Sequence, residues 1–211
     1  MKKKLKTLTW NEDRTPWRAE LLLDAKSYKV DLLFDVGLSN AHGDGPYLVS
    51  PAGSLAYRNR ILPKGNPLSL FPDGLVSWNG TVVIPILIDM TLRANDGQPM
   101  TGCSEEFRAK WGSVWMSLTP AEMLSQRPGI RRAAGNVVVG GLGMGWFLRK
   151  VCERPEVESV IVVEKRQDLL AWYGYDLCER HSKVTDVVCG DVYDHVGKHG
   201  NAMYLLDIWP T

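Results

Sequence analysis

The sequence predicts an α/β protein in which a parallel sheet covered by helices follows a smaller β-rich or α+β region. Three observations carry this. From Asn136 onward, short continuous apolar runs alternate with helix-compatible segments, the pattern of strands buried on both faces. Upstream, the turn-forming stretches GDGP, SPAG, LPKGNP and ANDGQP interrupt brief apolar runs, as β-rich modules do. Between the two styles, TPAE opens a well-marked helix. The N-terminal region is therefore placed at residues 1–110 and the sheet-bearing domain at 111–211.

In chain order, WRAELLLDAKSYKVDLLFDV reads either as a hairpin or as a helix followed by a strand, and periodicity leaves both open. LSLFPDGLVSWNGTVVIPILI reads as a three-stranded meander, with turns at Pro72-Asp73-Gly74 and Asn79-Gly80. At TPAE, Thr119 is the expected N-cap, Pro120 the first helical residue and Glu122 the closing partner of a capping box. Pro128-Gly129 should stop this helix by Arg127. Then follow the strand NVVVG, a helix from Met144 to Arg154, the strand SVIVVE, a helix from Gln167 to about Arg180, and the strands VTDVVCG and AMYLLDIW.

Composition excludes several classes. With 211 residues, 45% apolar and a formal charge of +1, the chain gives no electrostatic case for nucleic acid or an anionic membrane. Met1-Lys2-Lys3-Lys4 is followed by LKTLTWNEDRTPW, which lacks the apolar core of a signal peptide. TVVIPILI is too short for a membrane span and contains Pro85. The expected compartment is the cytoplasm. Cys103, Cys152, Cys178 and Cys189 show no metal-ligand spacing and read as reduced thiols. His195 and His199 are spaced for one helix face, but Gly197 and Gly200 argue for a loop and against a metal site.

The chemistry concentrates in NVVVGGLGMGWFLRK, where Gly140, Gly141, Gly143 and Gly145 follow an apolar strand and precede a helix. Such glycines let the backbone adopt positive φ and let a ligand approach the main chain. They could equally serve tight strand–helix packing. Glu164 ends the second strand at the edge where open parallel sheets bind ligands, and its carboxylate could accept both hydroxyls of a ribose. Trp146 stands where a dinucleotide fingerprint requires its last glycine, so a nicotinamide or flavin dehydrogenase is disfavoured. At the end of the third strand, Asp191 could accept a hydrogen bond from an adenine amino group, with Val192 as an apolar wall.

Taken in order, VVVGGLGMG, VIVVE, VVCGDVYD and YLLDIWP resemble the first four strand ends of a class I S-adenosylmethionine-dependent methyltransferase, particularly the spermidine-synthase-like branch. The resemblance covers about Trp115 to Thr211. It implies a Rossmann-like parallel sheet with S-adenosylmethionine as cofactor. Gly141, Leu142, Gly143 and Gly145 would pass under its methionine part and sugar, Glu164 would hold the ribose and Asp191 with Val192 would face the adenine. Two features depart from the family pattern. Val139 replaces an acid found in many members, and Thr211 falls just beyond the fourth strand of a sheet that usually has seven. The sheet is thus expected to be incomplete or C-terminally truncated relative to the family, with YLLDIW an edge that needs covering.

Methyl transfer from a sulfonium relies on proximity and orientation, and on a base only where the acceptor must lose a proton. Asp207 in LLDIWP is the catalytic candidate, and Trp115, Tyr193 and Trp209 are candidate walls of an acceptor pocket. By the same resemblance, VWMSLTP forms a lid or floor over the cofactor. The expected function is an S-adenosylmethionine-dependent methyltransferase acting on a small molecule, with nucleic acid disfavoured, no membrane, and homo-oligomerisation left open. An aminopropyltransferase is the alternative, weakened because Asp207 is followed by Ile208-Trp209-Pro210 rather than further acids. A non-catalytic cofactor-binding module is the third reading.

Overall fold

Three consecutive valines, Val137, Val138 and Val139, are all buried. Neighbouring side chains of a strand point to opposite faces, so this strand is covered on both sides. It is the centre of an all-parallel four-stranded sheet in a computed structural model that describes residues 5–17, 20–40, 42–70, 74–91 and 113–207. The chain forms two compact units, residues 1–125 and 126–211.

In the first unit, β1 (Thr7–Thr9), β2 (Glu20–Asp24), β6 (Leu68–Leu70) and β7 (Gly74–Trp78) form one sheet in the order β1-β2-β7-β6. A second sheet has the order β3-β5-β8-β9, from β3 (Leu38–Ser39), β5 (Leu55–Leu62), β8 (Val82–Asp89) and β9 (Ser113–Ser117), with β4 (Leu48–Val49) paired to β5. WRAELLLDAKSYKVDLLFDV supplies β2 and then turns and irregular backbone among its described residues, neither a hairpin nor a helix. The expected meander is also corrected. β6 and β7 form a hairpin, but β8 leaves for the other sheet and pairs antiparallel with β5 along its whole length. Asn79 explains the departure. Its N–H donates to the Leu23 carbonyl and its Oδ1 accepts the Ala25 N–H, so Asn79-Gly80 clasps the end of β2 instead of closing a two-residue turn. Pro72 and Asp73 of the other expected turn, and the ANDGQP stretch, lie outside the described residues.

Helix α1 (Pro120–Arg132) begins as its capping box requires: Thr119 N–H donates to Glu122 Oε2 at 2.9 Å and Glu122 N–H to Thr119 Oγ1 at 3.4 Å. It does not stop at Arg127. Pro128 lies inside it, exposed, and the half-buried Gly129 that follows faces Phe147 and Leu205.

The second unit then runs β10 (Gly135–Gly140), α2 (Trp146–Cys152), β11 (Val157–Glu164), α3 (Gln167–Leu169), a π-helical turn (Leu170–Gly174), α4 (Tyr175–Glu179), β12 (Val184–Cys189), a 3₁₀ turn (Val192–His195) and β13 (Met203–Leu206). α2 is shorter than the predicted Met144–Arg154, and the predicted helix from Gln167 to Arg180 is interrupted by the π turn. Strand order is β12-β11-β10-β13, every neighbouring pair parallel. Val138, Val163 and Val192 form a buried cluster on one face, with Ile161, Val188, Ala202 and Tyr204 packed against it. Fully burying each valine contributes about 1.5–2 kcal/mol. Among the described residues, no helix is long and apolar enough to cross a membrane.

Candidate functional site

Register brings four strand ends to one edge of the parallel sheet. Gly140 lies beside Val163 on one side and Leu206 on the other, and Glu164 lies beside Cys189. The ladder continues one step further: Gly141 N–H donates to the Val163 carbonyl, Gly190 N–H to the Glu164 carbonyl and Asp207 N–H to the Gly140 carbonyl. Gly141, Leu142, Glu164, Asp191 and Asp207 are thereby gathered at the carboxyl edge, next to the point where strand order reverses between β10 and β13. Open α/β sheets bind ligands at this place.

The glycine loop has the backbone the sequence implies. φ is +87° at Gly141, +49° at Gly143 and +78° at Gly145, a region L-residues enter only with strain. Gly145 has a packing reason as well, since a Cβ there would overlap Leu177. At Gly140 a Cβ would stand 2.7 Å from Val192 Cγ2, so Val192 can pack directly on the strand end. Strand–helix packing therefore accounts for part of the glycine pattern, and backbone geometry for Gly141 and Gly143.

Glu164 is only 4% exposed. Its Oε2 accepts the Leu142 N–H at 2.8 Å and its Oε1 the Arg166 N–H at 2.8 Å. The acid is thus built into the glycine loop, while each oxygen of a carboxylate has a second lone pair for another donor. The two cations that follow are held by acids. Arg166 forms a two-point contact with Asp168, at 3.0 and 2.6 Å, and Lys165 Nζ lies 3.1 Å from Asp191 Oδ2.

Asp191 Oδ1 also accepts the Tyr193 N–H at 3.0 Å, which caps the 3₁₀ turn. That bond and the Lys165 ammonium together hold the Asp191 carboxyl below the usual carboxylate range. Tyr193 itself is 66% exposed. Asp207 is half-buried and accepts from Gln126 Nε2 at 2.6 Å. Trp115 lies in β9 of the first unit, as does the rest of VWMS, and Trp209 lies outside the described residues.

The histidine pair makes a different contact from metal chelation. His199 Nε2 and His195 Nδ1 are 3.4 Å apart, with ring centroids 5.7 Å apart and planes within 8°. The centroid distance is about the N···N distance plus two ring radii, so the nitrogens face each other along one line rather than converging on a common point. Among the described residues no group of three or more His, Cys, Asp or Glu is placed to hold a metal ion. Cys152, Cys178 and Cys189 are free thiols, and burial raises the first two to about 11 and about 12. Cys103 lies outside the described residues.

Two participants carry no sequence signal of their own: Gln126, which reaches Asp207 from α1, and Tyr173, whose hydroxyl donates to the Gly143 carbonyl at 2.8 Å. Both contacts span long stretches of chain and exist only once the sheet has formed.

Fold and site together define a parallel α/β unit with a glycine-rich loop and two acids on adjoining strand ends. Comparison with known protein families, with curated proteins and with solved structures gave no match to this chain.

Proposed function

We propose that residues 126–211 form a Rossmann-like unit that binds S-adenosylmethionine, and that the protein is a methyltransferase acting on a small-molecule acceptor. The observation that carries this is the lateral sequence along one sheet edge: the positive-φ glycines after β10, then Glu164 after β11, then Asp191 after β12. Neighbouring strands are about 4.8 Å apart, so loop, Glu164 and Asp191 span roughly 10 Å, a distance matched by an adenosyl group lying across them.

The residues present fit such a ligand. Glu164 accepts ribose hydroxyls through its second lone pairs, and Val192 with Asp191 offers an apolar wall and an acceptor to the base. Lys165 and Arg166 are engaged by Asp191 and Asp168, which favours an uncharged ribose over a 2′-phosphate. When bound, S-adenosylmethionine supplies an electrophilic methyl group for in-line displacement by a nucleophilic acceptor. Asp207, oriented by Gln126, holds the acceptor or takes its proton.

The test is calorimetric titration of the whole chain with S-adenosylmethionine and with S-adenosylhomocysteine. Micromolar binding is expected, weakened about tenfold by Asp191→Ala, a half-buried residue outside the buried core. Absence of binding by a cooperatively folded chain would overturn the proposal.

A further inference from the structure

Between β11 and β12 the helical segment is interrupted by a π turn, Leu170–Gly174. A π turn is rare, occurs mostly as a single-turn bulge inside an α-helix, and is frequent at functional sites. Here its last two residues both reach the glycine loop. The Tyr173 hydroxyl, on a ring that is 5% exposed, donates to the Gly143 carbonyl at 2.8 Å. Gly174, next in line, lies so close to Leu142 that a Cβ would stand 3.0 Å from Leu142 Cδ2 and 2.9 Å from Leu170 Cδ2. One residue earlier in the loop, Glu164 accepts the Leu142 N–H.

We infer that Tyr173 is a positioning residue for the ligand loop: the π turn places its hydroxyl so that the Gly143 carbonyl is drawn towards the helix and the Gly143–Met144 peptide is fixed in one orientation. A glycine with φ near +49° has wide conformational freedom, and without a partner its peptide would be free to rotate. Glu164 holds one side of Gly143 and Tyr173 the other. Between them the loop is set before a ligand arrives, which reduces the ordering required on binding.

The inference rests on the adenosyl-ligand reading above and adds a prediction that reading does not make. In that reading the base lies by Asp191, the ribose by Glu164 and the start of the glycine loop, and the substituent on the ribose 5′ carbon further along the loop, by Gly143. Tyr173, bonded at Gly143, therefore acts chiefly on that substituent, while Glu164 and Asp191 hold the nucleoside.

The experiment compares S-adenosylhomocysteine with adenosine, by calorimetry, on the wild-type chain and on Tyr173→Phe, which keeps the ring and removes the hydroxyl. One hydrogen bond of ordinary strength corresponds to about a fivefold change. S-adenosylhomocysteine should weaken about five- to tenfold in Tyr173→Phe while adenosine binding stays within about twofold, and the Gly143 to Gly145 amides should exchange faster in the ligand-free variant. Equal loss for both ligands marks a merely structural tyrosine, and no loss for either removes the role; each overturns the inference alone. If the folded wild type binds neither ligand, the functional reading falls and this inference with it. Where Tyr173→Phe does not fold, fluorinated tyrosine at 173 changes donor strength without changing shape. A selective shift in S-adenosylhomocysteine affinity then supports the inference, and an unchanged affinity overturns it.

Discussion

Single residues in this site do two things at once. Glu164 fixes the loop it would share with a ligand, and Asp191 caps a turn while holding Lys165. Asp191 gives a titration test. Its carboxyl lies below the ordinary 3.8, chiefly through the Tyr193 N–H and secondly through Lys165. A depressed carboxyl stabilises the fold above its ordinary pKa, and that contribution is lost as pH falls through the lowered value. Lys165→Met should therefore raise the Asp191 pKa towards 3.8 without reaching it, since the larger cause remains. Carbon-detected NMR titration of the Asp191 carboxyl reads this directly, and an unchanged midpoint would show that Lys165 does not pair with it in solution.

At the scale of elements, α1 shows how local signals and tertiary packing divide the work. Its start is written in four residues, Thr119 to Glu122, and is reinforced by a neighbour the capping rule does not include: Ser117 donates both its N–H and its hydroxyl to Glu122, at 3.0 and 2.8 Å. Thr119→Ala should cost about 1 kcal/mol. Glu122→Ala, which orphans the partners on Ser117 and Thr119 together, should cost roughly 2–3 kcal/mol. Urea unfolding of the two variants gives the comparison, and equal losses would mean that the Ser117 contacts contribute nothing. The helix's end is a different matter. Pro128-Gly129 is a local helix-breaking signal, yet here the helix continues to Arg132, with Gly129 facing Phe147 and Leu205, before Gly135, with φ +63°, turns the chain into β10.

At the scale of the whole molecule, the sheet edge of the second unit is where binding should be felt. A ligand that binds only the folded state stabilises it by about 2.7 kcal/mol at a hundred times its dissociation constant. With S-adenosylhomocysteine at that level, hydrogen exchange should slow chiefly at residues 140–145, 164–166 and 190–193, the segments aligned along that edge. Protection confined to other segments would move the binding site elsewhere.

The sequence by itself determined the parallel strands, because Val137 to Val139 and Val160 to Val163 are continuous β-branched runs that only a sheet covered on both faces can bury. It also marked the glycine loop, Glu164 and Asp191, since positive φ and strand-end acids depend on residue type and local spacing. Tertiary structure alone decided the rest. β8 pairs with β5 rather than β7, while Asn79 bonds Leu23 and Ala25 at the end of β2. α1 ran on past Pro128 to Arg132, with Gly129 facing Phe147 and Leu205. Gln126 and Tyr173 joined the site through hydrogen bonds to residues 81 and 30 positions away. Propensity and spacing act over a few residues, whereas these contacts form between groups that become neighbours only when the chain has folded.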